Sequence, residues 1–508
     1  MLFVLSVVVL SAAGCVEETS GGGGDAGLIA DTGSMGGDGS LADVGGDTAS
    51  GGEDTAMADA GADGGDTMSG ACSFPKPMVA GTSKTDKLAE NPEHCGQSSY
   101  QWLEDPQLGE VTDYGSDLDY RKEFLESVAK SQGITPPRPL KHDVKLHQFQ
   151  YKTQDRGKIQ EATALVGYPK NYDSEEPVDV VLLLHGTSGF SDMCAPSEEI
   201  TGQGLAALFA SWGYLVVAPD YIGMKAMGEP TGFLHPYLVG QATAIASLDS
   251  VRAVGNLPAE KRGDLCPSNE VLTFGGSQGG HAALWVDRLQ PYYAREFDLL
   301  GTVATVPPAG LVKEGERAIQ SKVNATGNLI AFLGSAPEWY GHLDRLDEVF
   351  EKPLDKDVPD ALRNKCDPSD GVNIPNSTDK IFKDTLIQKA KDGKLDTVQP
   401  WGCMAVENGL TTTSVDRISQ ENDSYGILYV LGENDNLVHT PIERKSYEKL
   451  CNGGMPLEFL ECKGAGHVET SFWSMPEILD FFDARQKGKT FQNNNCQAAA
   501  PVTCRGTP

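Results

Sequence analysis

One stretch constrains the fold more than any other: Val271-Leu-Thr-Phe-Gly275-Gly276-Ser277-Gln278-Gly279-Gly280-His281. Val271 to Phe274 is a short apolar run that reads as a buried strand, and Ala282, Ala283 and Leu284 start a helix. Between them lies Gly-x-Ser-x-Gly, so the serine sits on a sharp strand-to-helix turn. A side chain at Gly275 or Gly279 would collide with neighbouring backbone in such a turn. Ser277 is left at the tip, at a helix N-terminus, where backbone N–H groups point outward and can stabilise an oxyanion.

The chain around this turn alternates strands and helices. Val144 to Lys152 alternates apolar and polar residues, Asp155-Arg-Gly157 turns the chain, and Ile159 to Tyr168 returns, which predicts an edge hairpin. Val178 to Leu184 and Tyr214 to Ala218 are nearly continuous apolar runs, as expected for strands covered on both faces. Helices are expected over Gly202–Trp212 and Val239–Gly255, and further strands over Leu299–Val306, Tyr425–Leu431 and Leu457–Leu460. A last helix is expected over Pro476–Ala484. This order predicts an α/β protein with a mostly parallel central sheet and helices on both faces. From about residue 309 to 423 the alternation stops. That block leans helical and is too long for a loop, so it is expected to form an inserted helical cap. Upstream, Asp117 to Gln132 is expected to be a helix closed by Gly133, and the tail from Gln492 to Pro508 to be irregular.

The 508-residue chain carries a net charge of −31, which argues against nucleic acid or an anionic membrane surface as a partner. Much of that charge is local. Val16 to Ala71 is nearly all Gly, Ala, Asp, Ser, Thr and Met, with no Lys or Arg. Such a segment cannot bury enough apolar surface to offset chain entropy, so an acidic, disordered tether is expected. Before it, the apolar run from Met1 ends in Ala12-Ala13-Gly14-Cys15. It resembles a secretory signal with a bacterial lipobox, which implies lipidation of Cys15 and membrane attachment through that anchor alone. Ala12 stands where Leu is usual, and no Lys or Arg precedes the run, which fits a true start upstream of Met1. An ordinary cleaved signal is the alternative. Either way the protein is expected to be exported, as a cell-envelope lipoprotein or in secreted form. Setting Cys15 aside, the 11 cysteines leave an even number, which in an exported chain suggests disulfides. Nearby pairs such as Cys366–Cys403 and Cys496–Cys504 are first guesses. No C-x-x-C or H-E-x-x-H occurs, and no metal site or cofactor is expected. The catalytic domain is expected to span residues 72–508.

Two polar residues complete a chemical set. Asp435 follows the Leu431 strand and His467 follows the Leu460 strand, so the chain order is Ser277, Asp435, His467. That is the order of the α/β-hydrolase triad. Each residue lies just past the C-terminal end of an expected strand, where such sheets build their sites. A serine hydroxyl is a weak nucleophile; a neutral imidazole must take its proton, and a carboxylate fixes the imidazole tautomer. Glu433 is the second candidate for the acid. His281, on the serine's own helix, is expected to be packed or supporting. The oxyanion hole is assigned to the backbone N–H of Gln278 and of Thr187, with Ser188 as the alternative to Thr187.

Asp220-Tyr-Ile-Gly223, His235-Pro-Tyr-Leu238, Asp249-Ser-Val-Arg252-Ala253 and Gly276-Ser-Gln-Gly-Gly-His-Ala-Ala283 together resemble the secretory lipase family of α/β hydrolases. The resemblance implies an α/β-hydrolase fold, carboxylic-ester hydrolysis by a Ser-Asp-His triad, an ester or lipid substrate and a cap between the serine and acid segments. A serine peptidase of the prolyl-oligopeptidase type and a polyester depolymerase use the same groups and remain alternatives. A non-catalytic surface binding protein on this fold is a third. The oligomeric state is left open.

Overall fold

A computed structural model describes residues 74–79, 94–98, 100–131, 135–172, 174, 176–367, 372–492 and 495–508. The expected leader with Cys15 and the expected tether Val16–Ala71 lie outside the described residues.

Nine strands form one sheet: β1 (Val111–Tyr120), β2 (Val144–Asp155), β3 (Lys158–Pro169), β4 (Val178–Leu184), β5 (Leu215–Pro219), β6 (Pro267–Gly276), β7 (Asp298–Thr305), β8 (Ile427–Gly432) and β9 (Leu457–Cys462). Their order across the sheet is β1-β2-β3-β5-β4-β6-β7-β8-β9. The first three pairings are antiparallel, and everything from β5 to β9 is parallel. The apolar runs explain the parallel half. Along β4, Val180, Leu182 and Leu184 enter one core, while Val181 and Leu183 enter the other. The first core is covered by α3 (Gly240–Asn256) and α4 (Gln278–Tyr293), the second by α2 (Ile200–Ser211) and α12 (Met475–Gln486). The structure is therefore an α/β-hydrolase fold, with helices on both faces of a mostly parallel sheet.

The β2–β3 hairpin turns through Arg156 and Gly157, both with positive φ (49° and 71°), the backbone a two-residue hairpin loop needs. The hairpin is not at the edge. β1 pairs outside it, with shifts in register, and takes Asp117–Tyr120 out of the expected helix. Helix α1 covers only Lys122–Ser131. The sequence of β1, Val-Thr-Asp-Tyr-Gly-Ser-Asp-Leu-Asp-Tyr, is polar because an edge strand buries little, so it carries no clean alternation.

Between β7 and β8 the described residues form five α-helices: α5 (Leu311–Gln320), α6 (Thr326–Tyr340), α7 (Leu354–Asn364), α8 (Asp384–Lys391) and α9 (Trp401–Asn408). Their apolar faces, with Phe332, Leu386, Leu395 and Met404, continue the core that α3 and α4 cover. The chain then returns through β8, α10 (Thr440–Asn452), β9 and α11 (His467–Trp473) to α12.

The disulfides overturn the expected pairs. Cys366 bonds Cys194 and Cys403 bonds Cys95; Cys496 bonds Cys451 and Cys504 bonds Cys462. Loop-closure entropy grows only logarithmically with separation, so nearness in sequence decides little once packing places the thiols. Cys366 follows α7 and Cys403 lies inside α9, and each meets a different part of the molecule. Two bridges thus tie the inserted helices to segments outside them. Cys451–Cys496 and Cys462–Cys504 fasten the irregular tail, which also runs beside β9 through Lys463 N–H to Val502 O (2.7 Å) and Val502 N–H to Glu461 O (2.9 Å). The Cys194–Cys366 bridge closes a separation of 172 residues. Replacing both cysteines by serine is expected to lower the unfolding free energy by about 2–5 kcal/mol. Guanidinium titration checks this, and an unchanged midpoint would mean that the bridge does not form.

Candidate active site

The end of β6 and the start of α4 meet in the turn that carries Ser277. Its backbone takes φ 57° and ψ −121°, which a residue with a Cβ rarely adopts and which costs about 1–3 kcal/mol. Neighbouring backbone holds it there. Ser277 N–H donates to Thr305 O at the end of β7 (2.9 Å), and His281 N–H donates to Ser277 O (3.0 Å). A Cβ on Gly275 would overlap the carbonyl of Gly279, and one on Gly279 would overlap the carbonyl of Leu184 at the end of β4. The first turn of α4 is therefore pressed between the ends of β4 and β7, a packing that only glycines permit. Helix α4 begins at Gln278, directly after the serine.

Beyond β8 and β9 lie Asp435 and His467, the expected acid and base. Asp435 is buried. Its Oδ1 accepts from the N–H groups of Leu437 (2.9 Å) and Val438 (3.1 Å), and its Oδ2 lies 2.7 Å from His467 Nδ1. With Nδ1–H donating to that carboxylate, Nε2 is the nitrogen with a free lone pair. Glu433, the other acidic candidate, instead accepts from Gly464 N–H (2.8 Å). His467 opens α11, and one turn later Ser471 Oγ lies 2.6 Å from Thr305 Oγ1. A Cβ on Gly276 would come within 3.2 Å of Ser471 Oγ. Residues i and i+4 share a helix face, so the face of α11 that carries His467 lies against the serine turn. Among the described residues Ser277 Oγ makes no hydrogen bond, to His467 or to any other group. Serine–imidazole contacts of this kind commonly tighten only with substrate bound.

The His185–Thr187 loop after β4 adjoins the serine: a Cβ on Gly186 would lie 3.7 Å from Ser277 Cβ. Tyr221, itself at φ 68°, stacks on His185 with ring centres 4.0 Å apart and donates to His185 O (3.1 Å). Asp220 beside it is buried and accepts from Ser197 N–H, Ser197 Oγ and Thr163 Oγ1, yet burial pushes its carboxyl up to about 7. Thr187 Oγ1 hydrogen-bonds Tyr237 OH (2.8 Å), which also accepts from Asn328 Nδ2 of α6 (3.0 Å). Ser188 turns its hydroxyl to Met224 Sδ (3.7 Å). The Gln278 side chain donates through Nε2 to His235 Nε2 (2.7 Å), and His235 Nδ1–H donates to Ile222 O (2.8 Å). The Asp249–Arg252 block serves the core instead: Arg252 bonds Asp249, Glu296 and Tyr293 O.

A cleft opens at Ser277 and runs between α5, α6, α8 and α9. It encloses about 810 Å³, its open mouth included, and is lined mainly by side chains such as Leu311, Ile319, Phe332, Leu386 and Trp401. Besides Ser277, its polar members are Tyr237, Asn328 and Glu314. Sequence reasoning missed Asn328, Glu314 and the role of Tyr237. The residues between β7 and β8 belong to no motif, and of the three only Tyr237 lies inside a family-like block, His235-Pro-Tyr-Leu238.

A mostly parallel sheet flanked by helices, with three strands leading into the Ser277, Asp435 and His467 segments, defines an α/β-hydrolase fold. The chain belongs to the secretory lipase family, whose model matches residues 204–494. Lipase 2 of Candida albicans is 28% identical over 290 residues, covering 55% of this chain and 56% of that protein. A secreted triacylglycerol lipase, LIP2, of Malassezia globosa is 26% identical over 369 residues, covering 68% and 74%. The chain thus spans little more than half the length of its Candida albicans relative. Two solved structures share the fold. The rice cell wall degrading esterase LipA of Xanthomonas oryzae has a TM-score of 0.57 at 18% identity, covering 76% of this chain and 99% of that one. Candida antarctica lipase A in its closed state has a TM-score of 0.55 at 15% identity, covering 78% and 88%.

Gly279→Ala is expected to cost about 3 kcal/mol or more, because backbone rather than a side-chain tip blocks the added methyl. Gly327→Ala, in α6 with open space around it, should be neutral or stabilising by up to about 1 kcal/mol. Chemical denaturation of the pair checks this, and equal midpoints would contradict the packing described. His281 is buried beneath the cap, its Nε2 2.8 Å from Asn408 O, and burial pulls it down to about 4. A histidine with its folded pKa lowered binds fewer protons folded than unfolded, so stability is lost as pH falls below about 6.5. The destabilisation caused by His281→Gln should therefore shrink by about 2 kcal/mol between pH 7 and pH 5. Urea titrations at the two pH values read it, and a pH-independent difference would place a charged imidazole in the core.

Proposed function

We propose that this chain is an exported serine hydrolase that cleaves carboxylic esters, of lipase or esterase type. The observation that carries the reading is the Asp435 Oδ2–His467 Nδ1 contact of 2.7 Å together with a strained Ser277 that lines an apolar cleft. Ser277 Oγ attacks the ester carbonyl carbon while its proton passes to His467 Nε2. Asp435 stabilises the imidazolium through Nδ1–H. The tetrahedral oxyanion is met by the backbone N–H groups of Gln278 and Thr187. Collapse breaks the acyl–oxygen bond, and the Nε2 proton goes to the departing alcohol oxygen. A water then gives its proton to His467 Nε2 and attacks the acyl-enzyme. Release of the carboxylic acid returns that proton to Ser277.

The cleft favours an ester over a peptide substrate. A cleft of this size lined by leucine, isoleucine, phenylalanine and tryptophan desolvates a hydrocarbon chain at little cost. It offers few partners for a peptide's repeating N–H and C=O groups. The names of the relatives point the same way: one is a lipase and the other a secreted triacylglycerol lipase. In this reading residues 1–15 direct export, Cys15 carries the lipid anchor and residues 16–71 space the enzyme from the membrane.

Ser277→Ala is expected to abolish hydrolysis of a p-nitrophenyl ester and labelling by a fluorophosphonate probe, with the melting curve intact. Asp435→Asn should lower kcat by about 10⁴ through the wrong imidazole tautomer. Labelling that persists in Ser277→Ala would end the proposal.

A further inference from the structure

Helix α5 touches more than the cleft. Its face with Leu311, Gly315, Ala318 and Ile319 lines the space beyond Ser277. One step around the helix, Glu314 and Arg317 sit at i and i+3 and pair with each other, Arg317 Nε donating to Glu314 Oε2 (3.0 Å). Both reach the loop that carries Asp435. Arg317 donates to Leu437 O (2.8 Å) and, through both terminal nitrogens, to Asn436 O (3.3 Å). Glu314 Oε1 accepts from His439 N–H (2.7 Å).

The loop needs this help. Asp435 Oδ1 already takes the N–H groups of Leu437 and Val438, and Thr440 Oγ1 donates to Gly432 O (2.5 Å), which closes the loop on itself. Left over are the carbonyls of residues 436 and 437 and the amide of residue 439. Two successive carbonyls suit a guanidinium, whose donors form a rigid fork, and one amide suits a carboxylate. Both side chains are largely sheltered, at 18% exposure for Arg317 and 10% for Glu314. Burying such charges is costly unless their hydrogen bonds are made, and here they are made to this loop.

We infer that Glu314 and Arg317 are positioning residues: from the cap they clamp the loop of residues 436–439 and so fix the Asp435 carboxylate against His467 Nδ1. The inference rests on the triad reading above. Neither residue touches the reacting atoms. The clamp acts through Asp435, and a displacement of about 1 Å in such a group costs on the order of 100-fold in rate. Because α5 also lines the cleft, the helix that meets the substrate chain is the helix that holds the acid.

Arg317 supplies the test, since it lies outside the cleft lining. Arg317→Met is expected to lower kcat on a p-nitrophenyl ester by about 10- to 100-fold with KM within about twofold. Arg317→Lys, which restores one donor and the charge, should recover a substantial part of that loss. The downfield proton resonance of His467 Nδ1–H against Asp435 should weaken or vanish in Arg317→Met and persist in Arg317→Lys. An unchanged kcat and an unchanged resonance in Arg317→Met would overturn the clamp. So would a loss that falls on KM alone, or one that arises with the resonance intact. If Asp435→Asn itself keeps full activity, the triad reading fails first, and that result is distinct from failure of the clamp.

Discussion

Three backbone segments touch at the β6–α4 turn, and the rest of the site is built outward from that contact. Gly279 lies against the Leu184 carbonyl, Gly280 would place a Cβ 2.7 Å from the Thr305 carbonyl, and Ser277 N–H is held by the same Thr305 oxygen. The ends of β4, β6 and β7 therefore converge on one residue. The strained backbone of Ser277 is stable because the neighbouring strands leave it no other path. The same convergence brings the His185–Thr187 loop alongside and leaves α11 across the opening.

The inserted helices serve two purposes. They supply the apolar cleft, and they reach back to the core with polar contacts: Asn328 to Tyr237, Asn408 to Gly240 and His281, and Glu314 with Arg317 to the loop after Asp435. Two disulfides, Cys95–Cys403 and Cys194–Cys366, add covalent ties from α9 and from the end of α7. A cap fastened at both places cannot swing away as a rigid lid while they are intact. Changes in access must come from shifts of individual helices or side chains between these ties.

Much of the fold could be read from the residues alone, for a physical reason. Parallel strands buried on both faces need continuous apolar runs, and β4, β5 and β8 carry them. Gly-x-Ser-x-Gly announces a turn that tolerates no side chains on either flank. Asp435 and His467 stand just past strand ends, and the structure does join their side chains. What escaped was written in weaker signals. β1 is polar because it is an edge, so its residues passed for part of a helix. Disulfide partners depend on which cysteines packing brings together, and a separation of 308 residues between Cys95 and Cys403 leaves no trace in the chain. Glu314, Arg317 and Asn328 act through backbone groups and hydroxyls on distant segments, and no spacing within the cap marks them.

The central claim is that Ser277, at a turn locked by glycines, is the nucleophile that an apolar cleft serves. A crystal structure of the protein after reaction with an alkyl phosphonate ester tests it most directly. The account predicts phosphorus bonded to Ser277 Oγ, the phosphonyl oxygen within hydrogen-bond distance of the Gln278 and Thr187 amides, and the alkyl chain lying between α5 and α6. Phosphorus on another residue, or an alkyl chain directed away from the cap, would contradict it.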